Sequence, residues 1–175
     1  MTGSEFILTM ELDHETRSAC VDPGRPLADV LRAEFGCTGT HLGCRNGDCG
    51  ACTVLVDDEP YKSCLVPCAR VDGHRVETVQ GLAAQDELQP VQEAFWEANG
   101  FQCGFCLAGP LLCTVAILRN RAPIADEAID QAVDQAIAGN LCRCTGYQQI
   151  RVAVRTAITA RNDAERSKRD GHSQT

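Results

Sequence analysis

The N-terminal part of the chain alternates between apolar and polar residues, which is the pattern of half-buried β-strands. Strands of this kind are predicted over residues 6–12, 17–21, 53–56 and 74–79. After the second strand, a helical apolar stripe follows Pro26, a residue that suits the first turn of a helix, and ends at Gly36. Residues 36–51 then lose all periodicity and are rich in glycine. These elements predict a small mixed domain of strands and one helix that ends near Gly81.

The period changes after this first domain, where apolar residues recur at helical spacing. Four short helices are predicted, with stripes over residues 91–98, 107–118, 129–137 and 150–158. Asp126 is expected to cap the third helix, and Gly139 to end it. Residues 82–90 are interpreted as a linker, and the polar residues 161–175, of mixed charge, as a frayed tail. The helices between them predict an all-α four-helix bundle over residues 91–160.

Composition limits the class of protein. The 175 residues carry a net charge of −8, which argues against the basic stripe that a nucleic-acid surface needs. No apolar run approaches the roughly 20 residues of a membrane helix. The first ten residues contain no signal sequence, so the expected location is the cytoplasm. Twelve cysteines in a reducing compartment favour metal ligands, with a secreted disulfide scaffold as the alternative.

Four of the cysteines, in or just after the glycine-rich loop, have iron–sulfur spacing. They form a C-x4-C-x2-C motif with a fourth cysteine twelve positions on, and they are Cys44, Cys49, Cys52 and Cys64. This is the plant-type [2Fe–2S] spacing. Gly43, Gly47 and Gly50 would allow the backbone to approach a cluster closely and to adopt positive φ angles. A zinc ribbon is the alternative, but it normally uses two C-x2-C knuckles, and the gap between Cys44 and Cys49 is too wide for one.

A second set of four cysteines lies in the helical part and comprises Cys103, Cys106, Cys142 and Cys144. It combines a C-x2-C pair with a distant C-x-C pair, so on ligand geometry alone a four-cysteine zinc site competes with a second cluster. The other cysteines have no partner spacing and are interpreted as buried core residues: Cys20, Cys37, Cys68 and Cys113. Two clusters on one chain would form an electron relay. The expected fold is of the α+β class, with a β-grasp, plant-type ferredoxin-like domain over residues 1–81 and the helical [2Fe–2S] domain after it.

Three stretches of the chain resemble motifs of the xanthine oxidase family of molybdenum hydroxylases. Residues 43–54 (GCRNGDCGACTV) resemble that family's first cluster loop, residues 101–106 (FQCGFC) its second motif, and residues 140–147 (NLCRCTGY) its third. The motifs occur in the family's order. One departure follows Cys106, where Pro110 stands two positions further into the helix than the family's usual proline.

The resemblance implies the separate small, electron-transfer subunit of a multi-subunit enzyme. A molybdopterin-binding large subunit would oxidise the substrate, and FAD would be held by a medium subunit, in a dimer of heterotrimers. Electrons would pass from molybdenum to the helical-domain cluster, then to the ferredoxin-like cluster, then to FAD. By the same carry-over, Gln102 would hydrogen-bond the molybdopterin, and Cys144 would bond both iron and the pterin edge.

A free two-cluster ferredoxin that shuttles electrons without a fixed partner is the alternative function, and a zinc-stabilised interaction module is a third. A soluble shuttle needs no helical domain with a glutamine that faces a pterin, so the C-terminal half favours the enzyme subunit. The four histidines are scattered and offer no acid–base or nucleophilic site. The substrate pocket is therefore expected on another subunit, and aldehydes, purines and nitrogen heteroaromatics are all open as substrates.

Overall fold

The computed structural model describes residues 6–83, 89–120 and 122–172. One mixed sheet is formed by the strands β1 (Phe6–Leu12), β2 (Glu15–Val21), β3 (Thr53–Val56), β4 (Glu59–Lys62) and β5 (Arg75–Glu77). Its order is β2-β1-β5-β3-β4, and β1 pairs in parallel with β5 whereas the other neighbours are antiparallel. The turns that join β1 to β2 and β3 to β4 have positive φ at Asp13 and His14 and at Asp57 and Asp58, as tight hairpin turns require.

The predicted strands are confirmed with changes of extent, and one strand was missed. The last strand is limited to Arg75–Glu77, within the predicted residues 74–79. The missed strand is β4, whose residues are mostly exposed at the sheet edge and include Pro60. Proline and outward-facing polar residues are what edge strands carry, and they leave no alternating pattern in the sequence.

Within residues 6–83, one α-helix packs against the sheet and completes the core of the N-terminal half. This helix, α1 (Leu27–Ala33), begins directly after Pro26, as predicted, and buries Leu27, Val30 and Leu31. These side chains join Leu8 and Met10 of β1 in one hydrophobic cluster. The core therefore lies between β1 and α1, and the glycine-rich loop that follows α1 is left at its edge.

The C-terminal half is built from four α-helices in the described residues. They are α2 (Pro90–Glu97), α3 (Ala108–Asn120), α4 (Ile129–Ile137) and α5 (Gln148–His172). Each contributes to one shared hydrophobic cluster, whose members include Phe95, Leu112, Val133 and Ile150, one from each helix in turn. Pro110 lies in the first turn of α3, where its missing N–H has no intrahelical partner to lose.

Two predictions for this half were wrong. Asp126 does not cap α4 but begins a 3₁₀ turn, Asp126–Ala128, and the N-cap residue is Ala128, which makes no side-chain cap. Residues 161–172 are not a frayed tail, because α5 continues through them. The charged residues that suggested a tail occur at helical spacing, and Glu165 pairs with both Arg161 and Arg169.

The two halves meet where α3 packs against β3. Leu55 of β3 is 1% exposed and belongs to the hydrophobic cluster of the helices rather than to that of its own sheet. Of the predicted linker, Leu82 is buried in the same helical cluster and Pro90 begins α2, while residues 84–88 lie outside the described part of the chain. In that part, no helix is long and apolar enough to cross a membrane.

Candidate iron–sulfur centres

The loop of the first cysteine set, residues 37–52, joins α1 to β3 and folds tightly on itself. Gly47 and Gly50 have φ of 90° and 74°, in the left-handed region that favours glycine. Gly43 instead allows the side chain of Cys49 to lie close to the backbone, since a Cβ added at Gly43 would lie 3.0 Å from the Sγ of Cys49. The glycines thus allow close approach around the cysteines, although the positive φ expected at all three occurs at two of them.

Cys64 reaches this loop because β4 and a 3₁₀ turn, Ser63–Leu65, return the chain to it. The Ser63 hydroxyl and backbone N–H both donate to the carbonyl oxygen of Cys52, at 2.6 and 3.3 Å. Cys52 and Cys64 are buried in one small cluster with Ala28 of α1. The element that the sequence reading missed, β4, therefore delivers the fourth cysteine.

The thiols of this set differ in their electrostatic surroundings. The backbone N–H of Cys49 lies 3.3 Å from the Sγ of Cys44, and it lowers the pKa of Cys44 to about 7, helped by the N–H of Asn46. Burial, followed by the neighbouring Cys52 thiol, raises the pKa of Cys64 to about 11. Cys44 thus occupies a site that favours a thiolate, whereas the surroundings of Cys64 favour the protonated thiol until a metal binds.

The second set lies where two loops of the helical half meet. Cys103 and Cys106 stand between α2 and α3, and Cys142 and Cys144 stand between α4 and α5. The Sγ atoms of Cys103 and Cys144 are 3.6 Å apart. Burial first, and then the Cys142 thiol, raises the pKa of Cys106 to about 12. The structure therefore brings all four thiols of the predicted set into neighbouring pairs.

Tyr147 fixes the shape of the C-x-C loop. Its hydroxyl accepts a hydrogen bond from the N–H of Cys142 at 2.9 Å and donates one to the carbonyl oxygen of Asn140 at 3.1 Å. Tyr147 itself has φ of 69°, which few residues other than glycine adopt. Thr145 adds a contact of 3.1 Å between its hydroxyl and the Cys142 Sγ. The loop is thus held on both sides of Cys142.

The thiols of each set form two pairs and do not converge as a group of four on a single position. The side chains in contact are those of Cys44 with Cys49, Cys52 with Cys64, Cys103 with Cys144, and Cys106 with Cys142. Within residues 6–83, 89–120 and 122–172, no three His, Cys, Asp or Glu side chains converge on a single ion position. A binuclear [2Fe–2S] cluster takes two thiolates on each iron, whereas a structural zinc takes all four at about 2.3 Å. The donor sets fit two binuclear clusters.

The two cysteine loops touch each other directly. The N–H of Leu141, the residue before Cys142, donates to the carbonyl oxygen of Cys49 at 2.9 Å. The Nδ1 atom of His41 lies 2.8 Å from the carbonyl oxygen of Phe105, and the two rings stack with their centres 4.8 Å apart. A solvated or backbone-bonded imidazole is what the sequence favours for His41; the structure shows the backbone contact, and Phe105 lies 64 residues away in the chain.

The predicted site residues and the other cysteines differ in their exposure to solvent. Cys103, Cys144 and Gln102 are exposed on the helical half. Among the cysteines interpreted as core, Cys37 and Cys68 are buried and Cys113 partly so, as predicted. The prediction for Cys20 was wrong: this residue is exposed on β2, at the free edge of the sheet.

Comparisons with known proteins agree with this geometry. The family model of the 2Fe-2S iron-sulfur cluster binding domain matches residues 10–83, and that of the [2Fe-2S] binding domain matches residues 78–155. Caffeine dehydrogenase subunit gamma of Pseudomonas sp. (strain CBB1) is 41% identical over 153 residues, which cover 87% of this chain and 91% of the relative. The nicotine 6-hydroxylase small subunit of Paenarthrobacter nicotinovorans is 43% identical over 148 residues, or 84% and 86% of the two chains. The chain belongs to the iron–sulfur small subunits of the xanthine oxidase family of molybdenum hydroxylases.

A solved relative of these iron–sulfur subunits confirms the assignment at the level of the fold. A chain of quinoline 2-oxidoreductase from Pseudomonas putida 86 superposes with a TM-score of 0.82 at 36% identity, covering 92% of this chain and 98% of that one. Each family model spans one of the four-cysteine sets. As a member of the family, the chain is the electron-transfer subunit of a multi-subunit oxidoreductase.

Proposed function

We propose that the chain relays electrons from a molybdenum site through two [2Fe–2S] clusters to a flavin subunit. The ligands in this proposal are Cys44, Cys49, Cys52 and Cys64 for the first cluster and Cys103, Cys106, Cys142 and Cys144 for the second. The observation that carries it is the two-by-two pairing of thiols in loops that hydrogen-bond to each other. Under this proposal the N-terminal half is a β-grasp ferredoxin-like domain and the four helices form a bundle.

The direction of the relay is inferred from exposure. Each cluster, when bound, would accept and pass on one electron at a time. The exposure of the Cys103 and Cys144 thiols supports a second cluster at the surface, where it could face a pterin held by another subunit. The hydrogen bond from Leu141 to Cys49 then joins that site to the first loop. Electrons would thus enter at the helical half and leave from the ferredoxin-like half.

Partners and substrate follow from the relatives. We infer a molybdopterin-binding large subunit and an FAD-binding medium subunit, assembled as a dimer of heterotrimers. Similar proteins are named for caffeine, nicotine and quinoline, which are all nitrogen heteroaromatic compounds. A nitrogen heteroaromatic is therefore the substrate class proposed for the complex, with the reaction carried out on the large subunit. The role of this chain is to remove the electrons.

The iron content of the purified complex tests the cluster assignment. Two binuclear clusters require about four irons per copy of this chain. We expect elemental analysis of the complex to give that ratio, with no zinc bound to this subunit. A ratio near two irons, with zinc making up the difference, would contradict the second cluster and would leave a zinc site in the helical half.

Gln102 provides a test of the proposed entry point. If its side chain bonds the pterin, Gln102→Ala leaves a buried polar group of the cofactor unsatisfied, at a cost of about 1–3 kcal/mol. We expect the variant complex to keep all its iron but to hold molybdenum cofactor less firmly, or to reduce its clusters more slowly with substrate. Stopped-flow reduction and molybdenum analysis measure both effects.

The matched control is Gln135→Ala, which removes an exposed glutamine from α4, outside both cysteine loops. This variant should behave as the parent does. Normal reduction rates and full molybdenum occupancy in Gln102→Ala would place Gln102 away from the pterin, and the entry point would have to be sought elsewhere on the helical half.

A further inference from the structure

Helix α3 is attached to the N-terminal half at both of its ends. Its first turn follows Cys106, and a Cβ added at Gly109 in that turn would lie 2.8 Å from the carbonyl oxygen of Gly50 in the first cysteine loop. Its last turn carries Arg119, which reaches across to the sheet. A rigid helix held at two points fixes the orientation of everything that packs on it.

Arg119 contacts the sheet through both terminal nitrogens of its guanidinium group. Its Nη2 atom donates to Oε1 of Glu77 at 3.1 Å, and its Nη1 atom bonds both Oε2 of Glu77 and, at 3.1 Å, Oδ1 of Asp58. Arg75 also pairs with Asp58, so the contact is part of a small network of charges. The hydrogen bonds with Glu77 raise the pKa of Arg119, which therefore stays charged. A two-pronged contact of this kind is geometrically specific as well as attractive.

The contact matters for stability because Glu77 is a buried carboxylate. The side chain of Glu77 is 5% exposed and lies on β5, in the middle of the sheet. A carboxylate removed from water in this way needs a charged partner, because an unpaired buried charge is strongly unfavourable. The partner is supplied by the other half of the molecule. By contrast, the pairs of Arg155 with Asp130 and Arg151 with Asp134 join helices of the same half and are largely exposed.

The position of α3 determines the position of the helical half. Leu111, Leu112 and Val115 of α3 lie in the hydrophobic cluster that all four helices share. At the end of α3 near the cysteine loops, Asn140 is 5% exposed, and its side chain packs against both Gly50 and Gly109. If the far end of α3 were released, α3 would be held by the contact at Asn140 and by its packing on Leu55 of β3. A tilt of the helices about these contacts would change the orientation of the two cysteine loops relative to each other.

We propose that Arg119 is a positioning residue for electron transfer, which holds the two cluster sites at a fixed separation and orientation by tying the end of α3 to Glu77. The inference rests on the proposed two-cluster relay. Arg119 touches neither cysteine set and takes no part in the redox chemistry. Its effect is mechanical: electron transfer between two centres falls steeply with their separation, so a loosened hinge between the halves slows it.

The test uses the purified complex with Arg119→Gln combined with Glu77→Gln. The double variant removes the ion pair without leaving a buried unpaired charge, so the chain keeps its fold and its iron. The magnetic interaction between the two clusters is measured by the splitting of their electron paramagnetic resonance signals after reduction with dithionite. We expect the splitting to be lost or broadened and substrate-driven reduction of the first cluster to lag behind that of the second. The midpoint potentials of both clusters should not change.

Two further variants complete the design. Arg155→Gln removes an exposed arginine pair inside the helical half and should leave the splitting and the lag unchanged. Arg119→Lys keeps a cation but cannot form two parallel hydrogen bonds with Glu77, so it should give an intermediate splitting. If the double variant loses iron, this single variant still tests the proposal. An unchanged splitting in the Arg119 variants, with only a lower melting temperature, would overturn the proposal. Because dithionite reduces both clusters without substrate, this measurement stands even if the direction of the relay is wrong.

Discussion

Replacing Cys49 with serine is expected to remove the N-terminal cluster and to halve the iron content of the chain. Serine is a harder and poorer ligand for iron than a thiolate. Cys49 also stands at the centre of the first loop: its N–H bonds the Cys44 sulfur, and its carbonyl oxygen accepts the hydrogen bond from Leu141. A small domain that depends on a metal site loses much of its stability without it. Iron analysis and visible absorption of the complex measure the loss.

Cys20→Ser is the matched control for this substitution. Cys20 is exposed on β2, at the sheet edge opposite to β4, the strand that leads to Cys64, so its replacement removes a thiol that is not a proposed ligand. We expect full iron content and an unaltered spectrum. Equal loss of iron in the two variants would mean that the division between ligands and other cysteines is wrong.

Gly50→Ala is expected to be the most damaging substitution that leaves every cysteine in place. Gly50 has φ of 74°, and a Cβ there would collide with the carbonyl oxygen of Gly139 and with the Asn140 side chain. The left-handed backbone costs about 1–2 kcal/mol for a residue with a Cβ, and overpacking adds about 1–3 kcal/mol. The two halves would be forced apart at the point where their cysteine loops meet. The urea concentration that bleaches half of the cluster absorption should fall markedly.

Gly73→Ala separates the two contributions. Gly73 has φ of 75°, nearly the same as Gly50, but a Cβ there meets nothing within 4 Å. This variant should therefore show only the backbone cost of about 1–2 kcal/mol. If the two alanine variants lost the same stability, the close contact between Gly50 and residues 139–140 would not matter for holding the halves together.

Sequence patterns were sufficient for the parts of the fold that local periodicity determines. The stripes of α1 and of the four later helices are confirmed, because each helix buries one face against a core. The cysteine spacing and the three motifs were sufficient for the family. The ligand assignment stays a prediction, although the structure brings each predicted set together in pairs.

Other features could not be read from local patterns. β4 was not predicted, because an exposed edge strand that contains a proline does not alternate between apolar and polar residues. The continuation of α5 to His172 was not predicted, because its last residues are polar and of mixed charge, a composition that is also typical of a frayed tail. The helical spacing of the charged residues, which allows ion pairs, is what distinguishes the two. The contacts of His41 with Phe105 and of Arg119 with Glu77 join residues 64 and 42 positions apart, and no pattern in one sequence indicates them.

The burial of Leu55 among the helices has a consequence for how the protein can be divided. This leucine is part of a strand of the sheet, yet its apolar contacts are those of the C-terminal half. A fragment that ended after the sheet would expose it to water, and a fragment that began after the sheet would contain a hole where it should lie. The two cysteine-bearing halves, although they match separate family models, are therefore expected to melt together rather than one after the other.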